Sequence, residues 1–90
     1  MEIKREYYNN GQLKYKYPYK NGKCHGICRG WWENGQLKYE YPYQNGKYHG
    51  ICKGWWENGQ LEYENYWLYG KGVSPEEYRK HQLIKQLSGL

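Results

Sequence analysis

Residues 27–50 read ICRGWWENGQLKYEYPYQNGKYHG. This stretch is the best guide to the fold, because similar sequences precede and follow it in the chain. Residues 3–26 match it at 16 of 24 positions, and residues 51–74 follow it closely as far as Glu64. Self-similarity at a short fixed period is typical of repeat architectures, in which each unit packs on its neighbours. The sequence therefore predicts three repeats, which together make up residues 1–74.

Asn-Gly pairs punctuate these repeats, as at Asn34-Gly35 and Asn45-Gly46. Both residues of such a pair tolerate the positive φ that a tight type I′ hairpin turn requires. Two turns in 24 residues predict two antiparallel strands per repeat. The expected fold class is mainly β, an antiparallel β-hairpin meander of about six strands with one C-terminal α-helix.

Two-residue loops at these turns also predict a strand register. The predicted partners are Gly30 with Tyr39, Arg29 with Glu40, Trp31 with Lys38, Trp32 with Leu37, and Tyr39 with Cys52. Opposite charges and a cation beside an indole are favourable cross-strand pairs, at roughly 0.2–1 kcal/mol each. One sheet face should therefore carry an aromatic ladder over glycines, and the other face a mixture of charges and tryptophans.

A helix is predicted to begin at Ser74-Pro75-Glu76-Glu77. A capping serine, a proline at the first helical position and a glutamate three residues after the cap form a capping box. This predicts a helix from about 75 to 88 within a C-terminal segment of residues 75–90. We expect it to pack on or beside the last repeat through its apolar residues Leu83, Ile84 and Leu87.

The composition is aromatic and basic, with thirteen Tyr, five Trp, no Phe and a net charge of +5. Residues 1–32 carry a net +5 and residues 57–90 a net −1, which allows an acidic partner near the N-terminal end. No apolar run approaches the length of a membrane span, and no signal peptide opens the chain. The expected location is cytoplasmic, in a bacterium or an infected host cell, with a membrane an unlikely partner.

The stretch CHGIC, Cys24 to Cys28, suggests a metal or redox site, but the repeats argue against one. Tyr48 occupies the place of Cys24 in the second repeat. Cys28 and Cys52 should lie two strands apart, about 9.5 Å, beyond the roughly 7 Å that a disulfide spans between Cα atoms. We expect three structural free thiols, no metal and no cofactor.

Catalysis is not expected. Candidate acids or bases are Glu40, Glu57, Glu62 and Glu64, yet Glu40 has a predicted cation partner and the chain has no Asp for a triad-like arrangement. Each Asn-Gly-Lys stretch reads as a hairpin turn rather than a phosphate-binding loop. The chain is predicted not to be an enzyme.

The pattern WWENGQLKYE followed by YQNGKYHG resembles the MORN repeat (membrane occupation and recognition nexus), in the variant form common in bacteria and phages. The resemblance covers residues 3–72 and implies a ribbon of β-hairpins. Members of that family serve as membrane-associated scaffolds, protein-interaction modules or oligomerisation devices, and some short bacterial variants are described as antitoxins.

The function predicted is that of a small binding protein that blocks or neutralises a specific protein partner. It would be antitoxin-like or a phage-encoded inhibitor of host defence. Two alternatives stay open. The first is a basic nucleic-acid-binding or nucleic-acid-mimicking accessory factor. The second is an oligomerising structural module, in which case the chain would form a homo-oligomer. The predicted partner-binding residues are Arg29, Trp31, Lys38, Lys53 and Trp55, because aromatic and arginine side chains dominate binding hot spots.

Overall fold

The computed structural model describes residues 1–89, which form nine strands and one helix. The elements are β1 (Glu2–Tyr7), β2 (Leu13–Lys20), β3 (Lys23–Cys24), β4 (Gly26–Trp31), β5 (Leu37–Gln44), β6 (Lys47–Tyr48), β7 (Gly50–Trp55), β8 (Leu61–Leu68), β9 (Lys71–Val73) and α1 (Pro75–Ser88). One antiparallel sheet runs in the order β1-β2-β4-β5-β7-β8-β9, with β3 paired to β2 and β6 paired to β5. The mainly-β class and the meander are confirmed. Six long strands match the expected number, and three short ones (β3, β6 and β9) close the second turn of each repeat.

The second turn of each repeat has the predicted type I′ geometry. Asn45 and Gly46 have φ of 52° and 81°, and Asn21 and Gly22 have φ of 53° and 77°. In the third repeat, Tyr69 replaces the asparagine and still adopts a positive φ of 49°. The repeat context therefore imposes this turn even where the favoured residue is missing.

The strand after this turn is interrupted, which corrects one predicted pairing. His49 separates β6 from β7, and Gly50, which begins β7 with a φ of 128°, bends the chain so that the register shifts. Tyr39 consequently pairs with Gly54 and not with Cys52, so that prediction is wrong. Only glycine adopts the φ of Gly50 readily, and the bend depends on that freedom.

The first turn of each repeat differs from the prediction. The loop between β4 and β5 closes through Trp32 and Gln36, whose backbone N–H and carbonyl are 2.8 Å apart, and only Gly35 has a positive φ. A bulge then shifts the register, so Leu37 pairs with Trp31 rather than Trp32. The predicted Trp31–Lys38 pair is also wrong, because Lys38 occupies the bulge.

One side of the sheet, here called the tyrosine face, forms the core. The residues on this face stand at alternate strand positions: Tyr15, Tyr17, Tyr39, Tyr41, Tyr43, Tyr63, Cys28, Gly30, Cys52 and Gly54. The glycines in the middle of β4 and β7 lie beneath rings, Gly30 under Tyr39 and Gly54 under Tyr63, as the sequence predicts. Cys28 and Cys52 are only 3% exposed. A single layer of half-buried rings therefore covers the two cysteines and the two glycines on this side of the sheet.

The helix docks differently from the prediction. Ser74 caps it as expected, its Oγ accepting a hydrogen bond from the Glu77 N–H at 3.1 Å. Tyr78 packs against Tyr66 of β8, with ring centroids 5.4 Å apart, and His81 lies beside Tyr69 at 5.7 Å. The expected docking residues are exposed at 58%, 60% and 62% for Leu83, Ile84 and Leu87, so docking through them is wrong. The last residue of the expected 75–90 segment, Leu90, lies outside the described residues.

Candidate functional site

The side of the sheet opposite the tyrosine face, here called the charged face, carries a row of charges across six strands. Cross-strand partners place these residues in one line: Arg5, Lys16, Arg29, Glu40, Lys53 and Glu64. Arg29 Nε donates to Glu40 Oε2 at 2.9 Å, which confirms the predicted pair. Lys53 Nζ lies 3.9 Å from Glu64 Oε2.

A row of aromatic residues lies next to the charge row on the charged face. In each repeat an aromatic residue pairs with a leucine: Tyr7 with Leu13, Trp31 with Leu37, and Trp55 with Leu61. Trp31 and Trp55 are half-buried, and their backbones are held by the preceding repeat. Tyr8 Oη donates to the Trp31 carbonyl at 2.7 Å, and Trp32 Nε1 donates to the Trp55 carbonyl at 3.1 Å. The two indoles therefore stand on a rigid backbone.

Four of the five predicted binding residues meet on this face. Arg29 and Lys53 lie in the charge row with Glu40 between them, and Trp31 and Trp55 lie two residues further along the same strands. Lys38 does not join them. Its ammonium lies 4.6 Å from the ring centroid of Trp32, a cation–π arrangement within the loop end of the repeat.

The predicted partner-binding residues do not include two members of this surface. Tyr7 holds the place of Trp31 in the first repeat and is exposed. Lys16 holds the place of Glu40 and adds a cation to the charge row. Both residues could have been found by aligning the three repeats, because the distance of each residue from the Asn-Gly turns fixes its place on the sheet.

The tyrosine face offers a shallow cavity of about 250 Å³. Its lining is Tyr17, Tyr19, Cys24, Cys28, Tyr39, Tyr41, Tyr43 and Tyr48. Small-molecule sites usually enclose about 300–1,000 Å³, so this space is too small for most ligands. The hydroxyls of Tyr17 and Tyr39 are hydrogen-bonded to each other, as are those of Tyr41 and Tyr63. Burial and this bonding raise the pKa of Tyr39 and Tyr41, so these rings stay neutral and serve as packing.

The three cysteines are free thiols. Burial raises the pKa of Cys28 to about 12 and that of Cys52 to about 11. The Cys24 thiol also raises the pKa of Cys28, so the two side chains are neighbours in the cavity. His25 separates β3, which ends at Cys24, from β4, which contains Cys28. Protonated, buried thiols are poor nucleophiles.

Thiol reactivity should therefore separate the three cysteines. In the folded protein at pH 8, we expect Cys24 to react quickly with an aromatic disulfide reagent, because it is more accessible than the other two. Cys28 and Cys52 should react only as the protein unfolds, since their thiolates are both desolvated and covered. Absorbance of the released thiolate gives the count, with urea-unfolded protein as the control. Three equally fast thiols in the folded protein would contradict the described core.

Two of the four candidate catalytic carboxylates are paired with other side chains. Glu40 and Glu64 face cations, and Glu64 also accepts a hydrogen bond from Tyr66. Across residues 1–89, no group of three or more His, Cys, Asp or Glu side chains is arranged to hold a metal ion. The helix described here is neither long nor apolar enough to cross a membrane.

Comparison with known proteins finds one family. The MORN repeat variant family matches residues 3–21, 25–45 and 48–68, one match in each of the three repeats. No curated protein and no solved structure matches the chain. MORN repeat proteins are in general binding modules without enzymatic activity, which bind proteins or membrane lipids.

Proposed function

Since the chain belongs to the MORN repeat variant family, we propose that it is a non-enzymatic protein that binds one protein partner on its charged face and blocks it. The observation that carries this proposal is the pair Trp31 and Trp55. They occupy equivalent places in successive repeats, on backbones held by hydrogen bonds from the preceding repeat.

The residue types on this face favour a protein over a small ligand. Trp, Tyr and Arg are enriched in the few positions that supply most of the energy of a protein interface. Trp31 and Trp55 lie two strands apart, about 10 Å, which suits two anchor pockets on one partner. Arg29 and Lys53 stand beside them and would orient an approaching surface.

The size of the face is also sufficient. The molecule measures 47 × 33 × 22 Å, and the sheet faces lie along the longer dimensions. A stable interface buries about 800 Å² on each partner, which one side of such a sheet can supply. Blocking of a toxin or of a host-defence enzyme, antitoxin-like or phage-encoded, is the form of this activity that we propose.

Replacement of both anchors tests the proposal. Trp31→Ala with Trp55→Ala should release a partner that copurifies with the tagged wild-type protein, because truncation of one hot-spot anchor typically costs about 2 kcal/mol or more. The thermal unfolding midpoint should change little, since neither ring covers the buried cysteines. Quantitative mass spectrometry of the copurified proteins is the measurement.

The matched control is Ile84→Ala with Leu87→Ala, which removes two exposed apolar side chains from the helix. This control should retain the partner in full. Full retention by the tryptophan double variant, or its unfolding, would show that the assignment of the two faces is mistaken.

A further inference from the structure

On the charged face, every charged side chain of the first repeat is a cation. The basic patch consists of four of these cations, Arg5, Lys16, Lys20 and Lys23, together with Arg29 of the second repeat. The two acidic residues of β1 point to the other side of the sheet, since Glu2 pairs with Tyr19 and Glu6 with Tyr15 on the tyrosine face. The strands that build the patch therefore contribute no carboxylate to it before Glu40 of the second repeat.

Like charges lie directly opposite one another inside the basic patch. Lys16 pairs with Arg5 on one side and Arg29 on the other, and Lys20 pairs with Lys23. Like charges in such cross-strand positions destabilise a sheet. Arg29 is relieved by Glu40, but no ion pair is formed by Arg5, Lys16, Lys20 or Lys23 in the part of the chain that the structure describes. The patch therefore lowers the stability of the fold.

The other repeats show that the fold does not require a cation at the places of Lys16 and Lys20. The place of Lys16 is taken by Glu40 and Glu64, each opposite a cation. The place of Lys20 is taken by Gln44 and Leu68. The first repeat thus departs from its neighbours at two positions on the same face, and both departures add positive charge.

Exposed apolar side chains lie within the basic patch. Ile3 pairs with Pro18, and Ile27 pairs with Pro42, in a row between the charge row and the Lys20–Lys23 pair. Ile3 is 42% exposed and Ile27 is 40% exposed. At the far end of the same row, Tyr66 is covered by Tyr78 of the helix. The helix leaves the first-repeat end open.

We propose that the basic patch binds an acidic, amphipathic segment of the protein partner, an inference that rests on the proposed function. Carboxylates of the segment lie against the five cations, and its apolar side chains cover Ile3 and Ile27. A nucleic acid fits less well, because single strands bind by stacking bases on aromatic rings. The nearest rings on this face, Tyr7 and Trp31, lie at the edge of the patch, and the side chains exposed within it are Ile3 and Ile27. Exposed isoleucines among the cations offer nothing to a phosphate backbone.

The variant Lys16→Glu gives this inference a sharp test, because it should change stability and binding in opposite directions. A glutamate between Arg5 and Arg29 restores the arrangement of Glu40 between Arg29 and Lys53, so the thermal midpoint should rise. The probe is a fluorescent peptide of about 18 residues, which is the length of five helical turns. Its Glu and Leu residues are placed at helical spacing, so that they form one acidic and one apolar face. Its affinity for the variant should fall by about tenfold or more, since like-charge contacts at an interface cost several kcal/mol.

Lys4→Glu is the matched control. It makes the same change in net charge on the same hairpin, but Lys4 pairs with Tyr17 and so lies on the tyrosine face. Its peptide affinity should stay within about threefold of the wild type, because charges on the far side of the sheet are screened over about 10 Å at ordinary salt. A second peptide with Ser in place of Leu should bind the wild type more weakly, since it cannot cover the isoleucines.

Three results would overturn the inference: no binding of the Glu/Leu peptide to the wild type, unchanged affinity in Lys16→Glu, or tighter binding of single-stranded DNA of matched length. None of these results tests the proposed function, because the copurification experiment measures partner capture through Trp31 and Trp55 separately. Partner capture that survives loss of both tryptophans, with peptide binding that fails in Lys16→Glu, would overturn the proposed anchors and leave the basic patch standing.

Discussion

Gly54→Ala is expected to destabilise the protein by about 3 kcal/mol, a large part of the about 5–15 kcal/mol that holds a small domain folded. A Cβ at this position would lie 2.3 Å from Cε2 of Tyr63, well inside contact distance. The ring cannot retreat easily, because its hydroxyl is bonded to that of Tyr41. Gly30→Ala should behave in the same way, since its Cβ would lie 2.3 Å from Cε2 of Tyr39. Urea unfolding followed by tryptophan fluorescence measures the loss.

Gly72→Ala provides the control for this prediction. Gly72 also lies in a strand, β9, but an added Cβ would meet only the Trp67 ring at 3.9 Å, an ordinary contact. Its stability should stay within about 0.5 kcal/mol of the wild type. Equal stability of the Gly54 and Gly72 variants would show that the tyrosine rings do not lie over the strand glycines.

Trp32→Ala is the second substitution expected to be severe, at about 3 kcal/mol. Trp32 joins two repeats, since its Nε1 donates to the Trp55 carbonyl and the Lys38 ammonium lies over its ring. Truncation removes the ring and leaves the Trp55 carbonyl without that donor. The free energy of unfolding, from urea titration followed by circular dichroism, is the quantity to compare.

Trp56 is the natural comparison for Trp32 because it holds the same place in the third repeat. No further repeat follows, and its side chain is 52% exposed. Trp56→Ala should therefore cost less than about 1 kcal/mol. A loss as large as that of Trp32→Ala would mean that the contact between repeats is not what stabilises Trp32.

Local signals and the repeat predicted most of the fold correctly. The type I′ turn at Asn45-Gly46, the Arg29–Glu40 pair and the cap at Ser74 each depend on a few neighbouring residues. The turn at Asn34-Gly35 was not predictable from its own dipeptide. The same two residues adopt a different geometry there, because Trp32 and Gln36 close a longer loop. The bulge that follows moved Lys38 out of the predicted site.

Tertiary packing explains the remaining differences. The leucine stripe of the helix suggested docking, whereas the structure uses Tyr78, because β8 presents Tyr66 where the helix crosses it. The sequence placed Trp31 and Trp55 on one face correctly, since strand alternation fixes their direction relative to Arg29 and Lys53. The basic patch became visible only through the observed register, which sets Lys16 beside two cations and Lys20 opposite Lys23.

The signals of the five tryptophan indoles show which face of the sheet a partner covers. Trp31 and Trp55 stand on the charged face, whereas Trp67 stands on the tyrosine face, packed against Tyr48 at 5.0 Å. A nitrogen-labelled sample titrated with the copurified partner should show the indole N–H signals of Trp31 and Trp55 shifting together while that of Trp67 stays in place. A shift of the Trp67 signal with Trp31 and Trp55 unmoved would contradict the account.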